Sequence, residues 1–199
     1  MTEGNADEHD DHGHEHEEGH GHHHDDIETL GVSVVTISST RSLDDDPSGD
    51  AIVSACTDAG HDVVHRELVP DDHDRIQSIV GQLSKRDDTD IVVTTGGTGV
   101  SPDDVTVEAV DRLFAKRLPG FGELFRRLSY DEVGTRVVGT RATAGVVEGV
   151  PVFCLPGSTD AVRLGVEEVV LPETPHLAGL ARHEDEADEE TESGDEDAK

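Results

Sequence analysis

The sequence predicts an α/β fold with a mostly parallel sheet and helices on both of its faces. Three observations carry this. Short, β-branched stretches such as "GVSVVTI" and "IVVTT" read as strands buried on both faces. Stretches with apolar residues at helical spacing alternate with them. The length, 199 residues, suits one such domain with a real core and is short for two.

Taken in order, "LGVSVVTIS" (30–38) reads as the first strand, and "SSTRSLDDDPSG" (38–49) as a polar loop rich in turn formers. "DAIVSACTDAG" (50–60) has helical spacing, with Gly60 as a C-terminal stop. "HDVVHRELV" (61–69) is the second strand and "PDDHD" (70–74) the turn after it. "RIQSIVGQLSK" (75–85) places Ile76, Ile79, Val80 and Leu83 on one helical stripe. "DIVVTT" (90–95) is a third buried strand. A helix is expected over "VTVEAVDRLFAKRL" (105–118), capped by Thr106 or Ser101, with Pro102 fitting a first helical position. "FGELFRRLSYDEVG" (121–134) reads as another helix. Two short apolar stretches flank Gly149, and the second, "VPVFCL", is a buried strand running into Pro156-Gly157. "TDAVRLGVEEVVL" (159–171) closes the unit as a helix, with a shorter helical stretch near 176–182.

Charge divides the chain. Residues 1–26 hold ten acidic residues and eight of the 13 histidines, with almost no apolar content. Residues 184–199 hold another ten acidic residues. Both read as disordered tails, which leaves 27–183 as the folded unit. Net charge is −31, and the middle alone is −12, with lysine only at Lys85 and Lys116. Such a surface suits a cytoplasm at high salt, where the Debye length falls to about 3 Å at roughly 1 M and self-repulsion is screened. No basic stripe is present to meet a nucleic-acid backbone. The absence of a long apolar run or a signal segment predicts a soluble cytoplasmic protein without membrane contact. Cys56 and Cys154 sit in apolar settings without metal spacing and read as small buried hydrophobes.

Ligands of doubly wound sheets bind outside the carboxyl ends of strands. The loops at 38–49, 70–74, 95–104 and 156–159 are therefore the places to look, and they hold the unusual residues. "TTGGTG" follows a buried strand. Gly96, Gly97 and Gly99 permit positive φ and close backbone approach, so exposed N–H groups favour an anion. No Walker lysine and no GxGxxG fingerprint is present. Asp103 and Asp104 follow within a few residues. They read as helix-end charges, or one of them binds Mg²⁺, which commonly bridges a carboxylate to substrate phosphates. Asp71 and Asp72 fit a helix cap or a second functional carboxylate. Gly157 and Ser158 fit a second phosphate site or the cap of the last helix. No nucleophilic triad and no HExxH pair appears, and His65 alternates with apolar positions as a structural residue would. The pattern points to transfer chemistry on phosphates by positioning and electrostatics.

Together "TTGGTGVSPDDVTVEAV", "PGFGELFRRLSYDEVGT", "TRATAGV" and "LPGST", with "STR" at 39–41 and "DxSG" at 46–49, resemble the MoaB/Mog family of molybdenum cofactor biosynthesis proteins. The form "FGELFRRLSYDEVGT" is nearer the MoaB branch. The resemblance implies a three-layer α/β/α sandwich that assembles as a homotrimer or homohexamer. It implies an activity, molybdopterin adenylyltransferase, with Mg²⁺ as cofactor and ATP and molybdopterin as substrates. Pyrophosphate is released, and the product passes to a molybdenum-insertion protein. By resemblance, Gly96, Gly97, Thr98 and Gly99 match the phosphate loop, followed by Thr106. Asp104 and Asp71 match the catalytic and metal-binding aspartates. Asp46, Ser48 and Gly49 match the first active-site loop, and Pro156, Gly157 and Ser158 a pterin-side loop. Arg141 and Gly145 match a segment near the pterin. Ser39 stands where the family often has aspartate, and "PDD" where the Mog branch often has basic residues, which puts substrate phosphate contacts at issue. A homologue that binds pterin or nucleotide without chemistry is the alternative reading. A metal-handling role for the His-rich tail, through Ni²⁺, Zn²⁺ or Co²⁺, is another.

Overall fold

Six strands pair into one sheet in a computed structural model that describes residues 27–181. The two tails, with the metal-handling expectation for 1–26, lie outside the described residues. In chain order the elements are β1 (Gly31–Ile37), α1 (Pro47–Asp58), β2 (Asp62–Val69), α2 (His73–Leu83) and β3 (Ile91–Thr95). There follow α3 (Thr106–Asp111), β4 (Lys116–Arg117), α4 (Pro119–Val133), β5 (Thr143–Val147), β6 (Val150–Leu155) and α5 (Thr159–Gly165). The sheet order is β2-β1-β3-β6-β5-β4. The first four strands run parallel, and β5 and β4 add an antiparallel edge. The expected mostly parallel sheet and α/β/α layering are present.

Period-two alternation splits the core between the two faces. Val32, Val34, Ile91, Val93, Phe153 and Leu155 pack with α1, α4 and α5. Val35, Ile37, Val92, Val152 and Cys154 pack on the other face with α2 and α3. The stripe Ile76, Ile79, Val80 and Leu83 is wholly buried there. Cys56 belongs to the first face and Cys154 to the second, so the sheet separates them. Both are free, and burial raises their thiols to about 11 and about 12.

Three local expectations change. The helix over 105–118 is only Thr106–Asp111, and its N-cap is Val105, with neither Ser101 nor Thr106 as cap. Residues after it leave the helix to pair with β5: Ala115 N–H donates to the Val146 carbonyl at 2.9 Å and Leu118 N–H to the Ala144 carbonyl at 2.8 Å. Pairing across the sheet overrides local helical spacing here. At the chain's end, α5 does not stop before a second short helix. It continues through a π turn, Val166–Val170, into helical residues 171–181. Pro172, which has no N–H to give to the helix, follows directly after the wide turn and its Leu171 cap. Finally, Pro47 starts α1, so Ser48 and Gly49 stand on its first turn and not in the preceding loop. The β5–β6 connection is a two-residue turn in which Glu148 (φ 48°) and Gly149 (φ 74°) both take positive φ, as a tightly twisted hairpin requires.

Asp46 caps α1 and does more. Its side chain is fully buried and accepts from Thr36 Oγ1 (2.7 Å), Gly49 N–H (3.0 Å), Ser48 Oγ (3.1 Å) and Arg66 Nη2 (3.1 Å). Burial pushes its carboxyl up, but hydrogen bonds from Thr36, Gly49, Arg66 and Ser48 outweigh that and hold it below its ordinary value.

Two stability predictions follow from this packing. Phe125 is buried against Phe121, with ring centroids 6.2 Å apart, and against Gly165. Phe125→Ala should cost about 3–5 kcal/mol in urea unfolding. For Asp46, the folded value lies below the unfolded one, so its contribution is present above the unfolded value of about 3.9 and is lost as pH falls through the folded value. Asp46→Asn should therefore lower stability by a constant amount of about 3 kcal/mol between about pH 5 and 8. The gap to the unsubstituted chain should narrow in melts recorded below about pH 4.

Candidate functional site

The strand order places β2 to one side of β1 and β3 to the other, so the connections leaving their carboxyl ends diverge. This is where doubly wound sheets open a crevice. Here the crevice is a cleft of about 490 Å³. Ile37 and Ser38 from the end of β1, Gly96–Gly99 from β3, and Pro156-Gly157 from β6 form its floor.

Glycine at 96 is a packing requirement. It sits at φ 107°, and a Cβ there would lie 2.2 Å from the Ile37 carbonyl. Gly97 (φ 64°) is similar, since its Cβ would meet Thr106 Oγ1 at 2.2 Å. Thr106 locks the loop from below: its hydroxyl donates to the Gly96 carbonyl (2.9 Å) and its N–H to the Gly97 carbonyl (3.0 Å). Arg141 takes the next carbonyls. Its N–H donates to Thr98 (2.9 Å), its Nε to Gly99 (2.7 Å) and its Nη2 to the Asp104 carbonyl (2.8 Å), while Nη1 pairs with Glu108. With the carbonyls consumed, the N–H groups of Gly97, Thr98 and Gly99 have no partner among the described residues. That arrangement suits an anion.

Asp104 lines the same cleft. Its Oδ2 accepts the Ser101 N–H at 2.8 Å, which fixes the carboxylate beside Gly99. Asp103 is exposed and does not line the cleft. Of the pair after β2, Asp72 caps α2, accepting from Arg75 N–H at 2.8 Å. Asp71 instead accepts from both the N–H and the hydroxyl of Ser39, each at 2.8 Å, and ties the loop after β2 to the loop after β1. It is not among the cleft-lining residues. At position 39 an ionised aspartate would repel Asp71, whereas the serine hydroxyl donates to it.

Asp46, Ser48 and Gly49 lie behind the cleft wall, buried and not lining it. Gly145 is inside β5, where a Cβ would strike Phe114 at 2.4 Å, away from the cleft. Ser158 holds the N-cap position of α5 but makes no capping bond, and it faces a second pocket of about 400 Å³. That pocket shares Thr140 and Pro156 with the first and adds Ser129, Glu132, Arg136 and Asp160. Sequence reading did not single out Arg41, Thr40 or Thr140, although all three line the cleft. The motif "STR" carried the only signal for Arg41.

Among the described residues, no group of three or more His, Cys, Asp or Glu could hold a metal ion by itself. A Mg²⁺ ion does not need one, since it keeps waters and takes one or two carboxylates with substrate phosphates. Asp104 beside a loop whose N–H groups have no partner among the described residues fits that habit. No helix among the described residues is long and apolar enough to cross a membrane.

Known proteins resemble this chain over most of its described residues. Residues 33–176 match the family described as "Probable molybdopterin binding domain". Molybdenum cofactor biosynthesis protein B of Bacillus subtilis is 43% identical over 145 residues, covering 72% of this chain and 85% of the relative. A crystal structure of a molybdenum cofactor biosynthesis protein B superposes with a TM-score of 0.76 at 40% identity, over 78% of this chain and 97% of that one. The tungsten cofactor synthesizing protein MoaB from Pyrococcus furiosus gives 0.69 at 39% identity, over 78% and 99%. On sequence, fold and the order of its motifs, this chain belongs to the MoaB/Mog family of molybdenum cofactor biosynthesis proteins.

Proposed function

We propose that this chain is a molybdopterin adenylyltransferase: it transfers AMP from Mg-ATP to the terminal phosphate of molybdopterin and releases pyrophosphate. The observation that carries this reading is one cleft in which free backbone N–H groups stand beside a fixed carboxylate, Asp104. A phosphate and an ionised carboxylate repel each other, and a divalent cation between them removes that repulsion. The adjoining second pocket supports a reaction of two substrates over the binding of one.

In this mechanism the Gly97–Gly99 amides hold phosphate oxygens of the nucleotide, and Thr106 and Arg141 keep those amides aimed. The loop at Pro156–Ser158 places the molybdopterin phosphate. Its oxygen bonds to the α-phosphorus while the bond to the β-phosphate oxygen breaks, and pyrophosphate departs with the electron pair. Asp104 would hold Mg²⁺, which supplies Lewis acidity and charge neutralisation at the phosphates when bound. Asp71 stands at the neighbouring strand end as the second carboxylate, and its Oδ1 accepts no hydrogen bond among the described residues. We place the enzyme in the cytoplasm as a homotrimer or homohexamer, ahead of a molybdenum-insertion protein.

Three outcomes test this. Pyrophosphate should form from ATP only when molybdopterin and Mg²⁺ are both present, and EDTA should stop it. Molybdopterin binding without pyrophosphate would select the non-catalytic reading. Asp104→Ala should lower the rate about 10²-fold or more, at about 1.4 kcal/mol per decade, with an unfolding midpoint close to that of the unsubstituted protein. Gly97→Ala should weaken ATP binding and also lower stability, because the new methyl displaces the Thr106 hydroxyl.

A further inference from the structure

Among the described residues that line the glycine-loop cleft, Arg41 is the only cationic side chain and Asp104 the only anionic one. Its guanidinium is held from behind. Nη1 donates to Ser48 Oγ at 2.6 Å, and Nη2 donates to the Gly157 carbonyl at 3.3 Å. Asp46 Oδ1 lies 3.8 Å from Nη1. The remaining donors, Nε among them, meet no acceptor among the described residues, and a third of the side chain (33%) stays exposed. Ser48 and Asp46, by contrast, are buried and reach the cleft only through Arg41.

We propose that Arg41 is the subsite for the pyrophosphate end of the nucleotide, and that Asp46 and Ser48 are positioning residues that act through it. This rests on the adenylyl-transfer reading and gives it a charge logic. A triphosphate entering a chain of net charge −31, beside Asp104, needs a protein cation that does not move. When the bond from the α-phosphorus to the bridging oxygen breaks, negative charge grows on the β-phosphate side, and a preorganised guanidinium favours that change. The planar fork matters: two donors anchor it to Ser48 and Gly157 while others remain for phosphate oxygens, which a lysine cannot reproduce.

The test is calorimetric titration of Mg-pyrophosphate, and separately of AMP, into the full chain without molybdopterin. Arg41→Ala should weaken pyrophosphate about tenfold or more and leave AMP within about twofold. Arg41→Lys should recover only part of the loss. Ser48→Ala should weaken pyrophosphate several-fold alone and add nothing in the Arg41→Ala background, a non-additivity that a merely structural role would not produce. The proposal is overturned if the unsubstituted chain does not bind pyrophosphate, if Arg41→Ala binds it unchanged, or if the Ser48→Ala effect persists at full size without Arg41. Turnover of ATP and molybdopterin with Arg41-independent pyrophosphate binding would sink this subsite and leave the transferase standing. Arg41-dependent pyrophosphate binding without turnover would do the reverse.

Discussion

At Gly96 three strand ends come too close for any side chain. The Ile37 carbonyl occupies the place of its missing Cβ, at 2.2 Å, and a Cβ on Gly157 would stand 3.3 Å from the Gly96 Cα. The Gly96 N–H is spent on the Leu155 carbonyl at 3.0 Å, and Thr95 Oγ1 on the Pro156 carbonyl at 2.8 Å. The ends of β1, β3 and β6 are thus fused backbone to backbone. Everything the cleft presents is referenced to that junction, and a methyl group would force the ends apart.

From that junction the loop gains a direction. A peptide chain presents carbonyls and N–H groups in equal number, so an anion site requires that the carbonyls be used elsewhere. Thr106 takes two interactions from beneath and Arg141 takes three from the side. The arginine therefore orders the loop, leaving its N–H groups toward the cleft, without lining the cleft itself. Arg41 has the opposite placement: it is fastened to buried groups yet open to the cleft. One cation orders the backbone and the other supplies charge to the opening.

How much of this could be read from residues alone depends on the range of the interactions. Strands β1, β2, β3 and β6, the stripe of α2 and the glycine loop are local patterns, and each stands close to where its spacing placed it. Asp72 behaves as the cap that a Pro-Asp turn suggests. The end of α3 was not legible, because Ala115 and Leu118 answer to strand β5, some thirty residues later in the chain. The continuous last helix was hidden by Pro172 and Pro175, which locally read as a break. Arg41 gives no periodic signal, since it is fastened to Gly157, 116 residues away. Asp46, Ser48 and Gly49 were implied as site residues by resemblance; in the structure Ser48 and Asp46 stand buried behind that arginine, and Gly49 N–H donates to Asp46.

The partition of the two cysteines across the sheet has a practical consequence. Neither thiol is reactive while its layer is closed, and each is covered by a different set of helices. Alkylation of Cys56 therefore times the opening of the layer built from α1, α4 and α5, and alkylation of Cys154 times that built from α2 and α3. Equal rates would mean that the molecule opens as one unit. Unequal rates would show which helical layer detaches first, using reporters that evolution has already installed on either side.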